Sequence, residues 1–215
     1  MITTTAERKI TIEVLKPEHV AGATRCIADT FAKGEPMSTA LGITAGEFNY
    51  FAQLFIEKAT TDHMSVVAVD DSGSVVGATI CEDYTSEPPM GIEQITEKFN
   101  PIFQLLESLG ERYARAYSVA PGSHYHIFMC GVYQTHAHLR LAQKLNRFAE
   151  NLAREYRYRT LICEATGRIS QFVAENQLGF EYVDEISYQE FQYEDQPVFS
   201  SIDSVKSCAI YHKVL

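Results

Sequence analysis

The sequence contains no tryptophan and is short of positive charge. Its 215 residues include 18 lysines and arginines against 28 aspartates and glutamates, which gives a formal net charge of −10. Because nucleic acids attract positively charged surfaces through their phosphates, a chain this acidic is not expected to have nucleic acid as a partner. The cations between Arg140 and Arg159 alternate with Glu150 and Glu155, which is typical of a solvent-exposed helix face.

Long hydrophobic runs and paired cysteines are absent as well. No stretch approaches the roughly 20 apolar residues of a membrane-spanning helix, and no apolar signal segment follows Met1. The five cysteines form no Cys-x-x-Cys pair, and most stand among apolar residues, as buried free thiols do in a reducing compartment. They are Cys26, Cys81, Cys130, Cys163 and Cys208. The sequence therefore predicts a cytoplasmic protein with no membrane partner.

No repeat, low-complexity tract or linker divides the chain, so we expect one domain over residues 1–215. Strands are predicted at residues 10–15, 64–69, 74–83, 123–132, 159–165, 180–191 and 205–214, with a tight turn at residues 70–73. Helices are predicted at residues 17–34, 45–59, around 100–113, from 139 to about 152, and at 169–177. This order predicts an α/β or α+β fold with one mixed sheet of about seven strands and helices on both faces. The two βα units near the end of the chain predict parallel strands there.

Six short motifs then follow one another in an order that is typical of one superfamily. They are Gly34-Glu35-Pro36-Met37 with Leu41-Gly42, an extra helical segment before the central strand, Glu164-Ala165-Thr166-Gly167 with Ser170-Gln171, Leu178-Gly179-Phe180-Glu181, Tyr188-Gln189-Glu190-Phe191 and Pro197-Val198-Phe199. With the central strand that ends at Val132 and the amphipathic helix after it, the chain resembles the GNAT superfamily of acyl-CoA-dependent N-acetyltransferases, and more narrowly the arylalkylamine (dopamine-type) branch. The resemblance implies a single GNAT-like domain that uses acetyl-CoA as co-substrate.

The phosphate loop of that superfamily is where this sequence departs from the pattern. The loop usually reads Arg/Gln-x-x-Gly-x-Gly/Ala, and its three defined positions fall here on Ala137, Arg140 and Ala142, of which only Ala142 conforms. The missing glycine would let the backbone approach the pyrophosphate, while Arg140 adds a cation in its place. The segment from Ser170 to Gly179 is also one residue longer than usual.

The resemblance also implies where coenzyme A would be held. It places the main-chain groups of Cys130, Gly131 and Val132 against the pantetheine arm. The pyrophosphate would meet the N–H groups of the following turn. Those N–H groups belong to His138, Leu139, Arg140, Leu141 and Ala142.

Three acidic or hydroxylic residues are candidates for the chemistry. Acetylation needs a neutral amine, so a base must take a proton from the ammonium, and the resemblance gives that role to Glu35. The alternative is a loop acid beside a helix end. Thr166 and Ser170 lie four residues apart, and the resemblance puts them near the thioester, where a hydroxyl could protonate the leaving thiolate. The alternative is helix capping, for which Thr and Ser are preferred.

The histidines leave more than one interpretation open. His124 and His126 share one face of the predicted central strand, and His136 and His138 form a second His-x-His after it. Imidazole is a good zinc ligand, but no carboxylate or cysteine stands at an established spacing, so no metal is expected. His124 or His126 is a candidate proton relay at the usual base position of the superfamily, and packing within the strand is the alternative.

The leading hypothesis is an enzyme that moves an acetyl group from acetyl-CoA to the amine of a small-molecule acceptor. The alternative, motivated by the phosphate loop, is a catalytically silent member that binds acyl-CoA or a partner in a regulatory or structural role. Protein acetylation is a third interpretation, and a homodimer is one alternative for the oligomeric state. The aromatic residues after Glu35 are expected in the core, with an apolar wall for the acceptor as the alternative.

Overall fold

A seven-stranded mixed sheet organises the protein, whose computed structural model describes residues 9–215. The strands are β1 (Thr11–Val14), β2 (Val66–Val69), β3 (Val75–Asp83), β4 (His124–Val132), β5 (Thr160–Ala165), β6 (Glu181–Ser187) and β7 (Ser207–Val214). The α-helices of this part of the chain are α1 (Val20–Gly34), α2 (Pro36–Ala40), α3 (Ala45–Asp62), α4 (Asn100–Ala116), α5 (Leu141–Glu155) and α6 (Arg168–Phe172). The predicted fold class and strand number are confirmed.

The strand order in the sheet is β1-β2-β3-β4-β5-β7-β6. The pairs β1–β2, β2–β3 and β3–β4 are antiparallel. Strand β4 pairs with β5 in parallel, as the β4-α5-β5 crossover predicts. The prediction that β5 and β6 are also parallel neighbours is wrong in one respect, because they do not pair with each other. Strand β7 lies between β5 and β6 and is antiparallel to both, so β6 runs in the direction of β5 without touching it.

The sheet opens between β4 and β5. Only three pairs join these strands, His124–Thr160, Tyr125–Leu161 and His126–Ile162, although β4 continues to Val132 and β5 to Ala165. From there each strand keeps one partner, β3 for β4 and β7 for β5. We call the wedge between residues 127–132 and 163–165 the β4–β5 gap. It lies at the carboxyl ends of both strands, which are parallel.

Strand β4 also carries a bulge at the entrance to this gap. Its register with β3 shifts between the pairs Ile80–Met129 and Cys81–Ile127, which leaves Phe128 without a partner on β3. A bulge bends and twists its strand. It therefore turns the second half of β4 away from β5.

Apolar side chains cover the sheet on both faces. One face packs on α1, α3 and α4, and the buried aromatic side chains there include Phe48 and Phe51 of α3 and Phe99, which directly precedes α4. The other face packs on α5 through Leu141, Leu145 and Leu152. The expectation that helical spacing of the aromatic residues marks a core is confirmed for the phenylalanines of α3.

Several element ends differ from the sequence-based prediction. Helix α5 begins at Leu141 rather than residue 139, because a 3-10 helix occupies Gln134–Leu139. Strand β6 ends at Ser187, and residues 188–190 form a turn. The short helix α2 was not predicted, and a single π-helical turn, Val173–Gln177, follows α6. Within residues 9–215 no helix is long and apolar enough to cross a membrane.

Candidate functional site

Glu35 is a buried carboxylate at the junction of α1 and α2. It ends α1 and is the N-cap of α2, where Pro36 occupies the first helical position. Its Oε1 accepts the N–H of Met37 at 3.1 Å, and its Oε2 accepts the N–H of Ser38 at 2.6 Å. The side chain is 9% exposed. Glu35 is therefore held in a fixed orientation by two backbone donors that would otherwise lack partners.

The start of α6 lies against the start of α2. A Cβ atom built on Gly167 would come within 3.6 Å of the Pro36 ring. Tyr188 lies beside the same contact. Its hydroxyl donates to the Thr166 carbonyl at 2.7 Å, and it is near enough to Glu35 for the carboxylate charge to affect the pKa of its phenol. Burial first, and then the charges of Cys208 and Glu35, raise the pKa of the Tyr188 phenol. The neighbours of Glu35 and Thr166, Pro36 and Gly167, thus lie against each other just beyond the carboxyl end of β5.

Ser170 is used locally as a cap of α6. Its Oγ accepts the N–H of Gly167 at 3.0 Å and donates to the carbonyl of the same residue at 2.8 Å. The side chain is exposed, and the capping alternative describes the observed geometry. A hydroxyl in this position can still exchange its partner for a ligand, so the catalytic interpretation stays a prediction.

His126 lies deep in the sheet between two carboxylates. Its Nε2 is 2.6 Å from Glu164 Oε2 on β5, and its Nδ1 is 3.7 Å from Glu82 Oε1 on β3. Lys58 from α3 completes the group, because its Nζ lies 2.9 Å from Glu82 Oε2. We call these four residues the buried charge cluster. The ring of Tyr84 packs edge-on against His126, with the ring centroids 5.1 Å apart.

The two carboxylates keep His126 protonated. Burial alone would lower the pKa of His126, but the charges and hydrogen bonds of Glu164 and Glu82 outweigh it and raise the pKa to about 10. In turn, burial would raise the pKa of Glu82, but His126 and Lys58 lower it below the ordinary value. At neutral pH His126 is therefore an imidazolium, which can donate a proton but cannot accept one. The proton-relay role of His126 stays a prediction.

His124 takes part in a separate network. The Tyr113 hydroxyl lies 3.1 Å from His124 Nε2 and 3.1 Å from His212 Nδ1. Burial, followed by the neighbouring His212, lowers the pKa of His124. His124 and His126 thus have different partners. Among residues 9–215, no group of three or more His, Cys, Asp or Glu side chains is arranged to hold a metal ion.

The edge of β4 that faces the β4–β5 gap has unpaired main-chain groups. The N–H of Tyr133 donates to Val76 on β3 at 3.1 Å. Because successive residues of a strand point their main-chain groups to opposite sides, those of Gly131 also face β3, and those of Cys130 and Val132 face the gap. Of the three residues that the resemblance assigns to the pantetheine arm, two therefore have the required direction.

Gly131 instead lies against helix α1. A Cβ atom on this residue would collide with Thr30 Oγ1 and come within 3.1 Å of Ile27 Cδ1. The Cys26 thiol also approaches the Gly131 carbonyl, at 3.8 Å. The glycine is thus required by the close approach of α1 to the sheet.

The connection between β4 and α5 differs from a glycine-rich phosphate loop. Arg140 adopts a left-handed conformation with φ of +54°, and its N–H donates to the Ala137 carbonyl at 3.2 Å. That donor is therefore already bonded, whereas the N–H groups of Leu141 and Ala142 come before that of Lys144, which donates to the Arg140 carbonyl at 3.1 Å. Arg140 and Lys144 are exposed and form no salt bridge within the described part of the chain.

Two surface hollows lie away from this region. One of about 420 Å³ is lined by Asp62, Tyr156 and Tyr158 among others, and one of about 260 Å³ by Glu18, Arg25 and Tyr133 among others. Neither includes Glu35, Thr166 or the cysteines of the gap. We base the candidate site on the positions of the chemical groups, because hollow size alone does not identify a reaction.

Sequence reasoning missed Glu82, Glu164 and Asn146. Each is a polar residue in a buried stretch of an otherwise regular element, and this is the signal that could have identified them. Their partners lie on other strands or on a neighbouring helix, so the pairing itself was not visible in the sequence.

The comparisons with known proteins concern the fold. No protein-family model matches the sequence, and no curated protein matches it. The structure matches the C-terminal condensation domain of Ebony in complex with β-alanyl-dopamine with a TM-score of 0.86, at 16% identity, over 97% of this chain and 100% of that one. It matches arylalkylamine N-acetyltransferase 2 from Aedes aegypti with a TM-score of 0.80, at 22% identity, over 96% and 99% of the two chains.

A third match is the polyamine N-acetyltransferase of Drosophila melanogaster, which catalyses the formation of N-acetylagmatine. Its TM-score is 0.76, at 14% identity, over 96% of this chain and 100% of that one. The protein therefore has the GNAT-like fold of the arylalkylamine N-acetyltransferases, and the resemblance seen in the sequence is confirmed at the level of the fold.

Proposed function

We propose that this chain, which has the fold of acetyltransferases that act on amines, moves an acetyl group from acetyl-CoA to the amine of a small-molecule acceptor. The observation that carries the proposal is a buried, oriented Glu35 whose neighbour Pro36 lies against Gly167 at the start of α6, which follows β5 and its side of the β4–β5 gap. A thioester bound along the edge of β4 would present its carbonyl carbon there.

Side chains of this protein can accept and donate the protons that the proposed reaction moves. The acceptor ammonium gives a proton to Glu35, directly or through water, and the neutral nitrogen attacks the thioester carbonyl carbon. The carbon–sulfur bond then breaks, and the thiolate takes a proton from the Ser170 or Thr166 hydroxyl, which regains one from the attacking nitrogen as that nitrogen becomes the amide N–H. Holding the amine and the thioester in contact supplies much of the rate, because the step no longer depends on a chance encounter.

The binding of coenzyme A would use the unpaired edge of β4. The main-chain groups of Cys130 and Val132 have the direction that an extended pantetheine arm needs. The first free N–H groups of α5, at Leu141 and Ala142, and the cations of Arg140 and Lys144 would meet the phosphates. Acetyl-CoA supplies the activated acetyl group, and no metal is involved in the proposed step.

The structural neighbours support a small amine as acceptor. The Aedes aegypti protein is named for arylalkylamines, the Drosophila melanogaster protein for polyamines, and the Ebony domain was solved with β-alanyl-dopamine. The net charge of −10 suits a cationic acceptor, because it raises the local concentration of cations around the protein.

The experiment that tests the proposal replaces Glu35 with Gln. We expect kcat/KM with a responsive amine to fall by about 10²-fold at neutral pH, the lower range for the loss of a general base. The defect should shrink as pH rises, because more of the amine is already neutral, and the affinity for CoA should stay near that of the wild type. The matched control is Glu47→Gln, since Glu47 is also a carboxylate in the first turn of a helix but lies at the start of α3. Full activity of the Glu35 variant over the whole pH range would reject Glu35 as the base.

A catalytically silent protein that binds acyl-CoA or a partner is the second candidate. It is favoured by the β4–α5 connection, in which Arg140 replaces the usual glycine and its N–H is already bonded. A screen of amines with acetyl-CoA and detection of free thiol separates the two. Thermal stabilisation by CoA, about 2.7 kcal/mol at 100 times the dissociation constant, without thiol release from any amine would favour the silent protein.

A further inference from the structure

A buried amide on α5 lies beside the β4–β5 gap and has one atom without a partner. Asn146 is 7% exposed, and its Nδ2 donates to the Ala142 carbonyl at 2.8 Å and approaches the Cys130 sulfur at 3.6 Å. Because a carbonyl oxygen can only accept, the Ala142 contact fixes which end of the amide is nitrogen. Asn146 Oδ1 therefore points away from Ala142, and it is shielded from solvent with no hydrogen-bond partner.

An acceptor of this kind calls for an explanation. A buried oxygen without a donor loses its hydration and gains nothing in return, and the large majority of buried polar atoms in proteins have a partner. The neighbours of Asn146 on the same face of α5 are the buried Leu145, Ala149 and Ala153. An apolar side chain would fit those surroundings without that cost. The free oxygen points to a donor that arrives with a ligand.

The position of Asn146 indicates which ligand. Its neighbour Cys130 belongs to the part of β4 that has lost β5 as a partner, and the main-chain groups of Cys130 face the gap. Cys163 on β5 lies close enough to Cys130 for the charge of one thiol to raise the pKa of the other. Asn146 therefore lies beside Cys130, in the part of β4 that borders the gap.

We propose that Asn146 Oδ1 accepts a hydrogen bond from an amide N–H of a pantetheine arm bound in the β4–β5 gap. Pantetheine carries two amide N–H groups, and Asn146 Oδ1 is an acceptor in addition to the main-chain carbonyls of Cys130 and Val132 at the edge of β4. An extra acceptor on α5 selects donors that contain pantetheine over simple thioesters. This inference rests on the proposed function.

The test uses three probes that lack the nucleotide: pantetheine and two analogues in which one or the other amide N–H is replaced by an ester oxygen. By calorimetry, we expect the wild-type protein to bind pantetheine about 3- to 10-fold more tightly than one of the two esters, the value of a single neutral hydrogen bond. Asn146→Leu should lose that preference and bind pantetheine as weakly as the ester. The control Asn151→Leu, an exposed amide on the same helix, should behave as the wild type.

The outcomes separate this inference from the proposed function. Wild-type protein that binds both esters as tightly as pantetheine has no such acceptor, and that result overturns the inference without any variant. The same follows if Asn146→Leu keeps the wild-type preference. If the wild-type protein binds neither CoA nor pantetheine, the proposed function fails together with the inference.

Discussion

At the scale of single residues, the buried charge cluster has a defined response to pH. His126 holds its proton to a pKa of about 10 in the folded protein, whereas its ordinary value is 6.5. Between these values the folded protein binds a proton that the unfolded chain has released. Stability from this group is therefore complete below pH 6.5 and is lost as pH rises through 10.

We expect the free energy of unfolding of the wild-type protein to fall between pH 6.5 and 8, before the cysteines and tyrosines titrate. The slope for one proton is at most about 1.4 kcal/mol per pH unit. In His126→Gln the decline in that window should disappear, and stability at pH 6.5 should drop because Glu164 and Glu82 lose their counter-charge. Urea unfolding at closely spaced pH values measures both effects.

His124→Gln is the comparison for this experiment. Burial lowers the pKa of His124, so just above pH 6.5 the unfolded chain binds more of a proton at this residue than the folded protein does, and its removal should make the decline steeper rather than abolish it. A slope that is the same in the wild type and in His126→Gln would contradict the protonated state that we assign to His126.

At the scale of elements, the contact between α1 and β4 allows no side chain at position 131. We expect Gly131→Ala to destabilise the protein by about 1–3 kcal/mol, because the added methyl group meets Thr30 Oγ1 and forces α1 away from the sheet. The double variant Gly131→Ala with Thr30→Ala should recover part of the loss, since the colliding oxygen is gone. Thermal unfolding of the two single variants and the double variant gives the coupling energy.

Two features bear on how the coupling energy between positions 30 and 131 is interpreted. Thr30 Oγ1 donates to the Cys26 carbonyl at 2.7 Å, so Thr30→Ala alone has its own small cost. Ala78, which faces Gly131 across the β3–β4 pair, is buried and unaffected by either change. Strictly additive losses in the double variant would show that the two positions do not compete for space.

Periodicity and turn chemistry were enough to predict most elements of this fold. The hairpin at Asp70–Gly73 follows from its residues, since Asp70 Oδ1 accepts the N–H groups of Ser72 and Ser74 and Gly73 has a positive φ. Helix α2 could not be predicted, because five residues carry no period and depend on the cap that Glu35 supplies. The place of β7 between β5 and β6 is a long-range pairing that local patterns do not encode.

The candidate site was predictable where a motif lies along the chain and not where it crosses the sheet. Glu35, Thr166 and Ser170 were identified by resemblance, and Pro36, the neighbour of Glu35, lies against Gly167, the neighbour of Thr166. The partners of His126 and of Asn146 come from other elements. Their protonation states and unsatisfied atoms depend on burial, which a single sequence does not give.

At the scale of the whole molecule, a net charge of −10 works against a polyanionic donor such as CoA. Arg140 and Lys144 at the start of α5 are exposed cations without salt-bridge partners in the described residues, so they can offset this repulsion locally. We expect Arg140→Ala to weaken CoA binding by about 2- to 5-fold and to reduce its dependence on salt. Titration of CoA at two salt concentrations measures both.

Arg154→Ala provides the matched control, because Arg154 lies at the other end of α5 and pairs with Glu150 at 2.8 Å. It should leave CoA affinity and its salt dependence unchanged. An equal dissociation constant for the wild type and Arg140→Ala at both salt concentrations would reject the contact with phosphate.

The cytoplasmic location and the oligomeric state stay predictions from the sequence.

The place of β7 in the sheet has a consequence for how the chain is made. Strands β5 and β6 both leave the ribosome before their shared partner, and roughly 40 residues separate Ala165 from Ser207. Because synthesis proceeds at about 5–20 residues per second, the edge of β5 that pairs with β7 stays unpaired for a few seconds. Exposed edges of this kind pair readily with other chains. A nascent chain of this protein is therefore most in need of a chaperone during the interval between the synthesis of β5 and the arrival of β7.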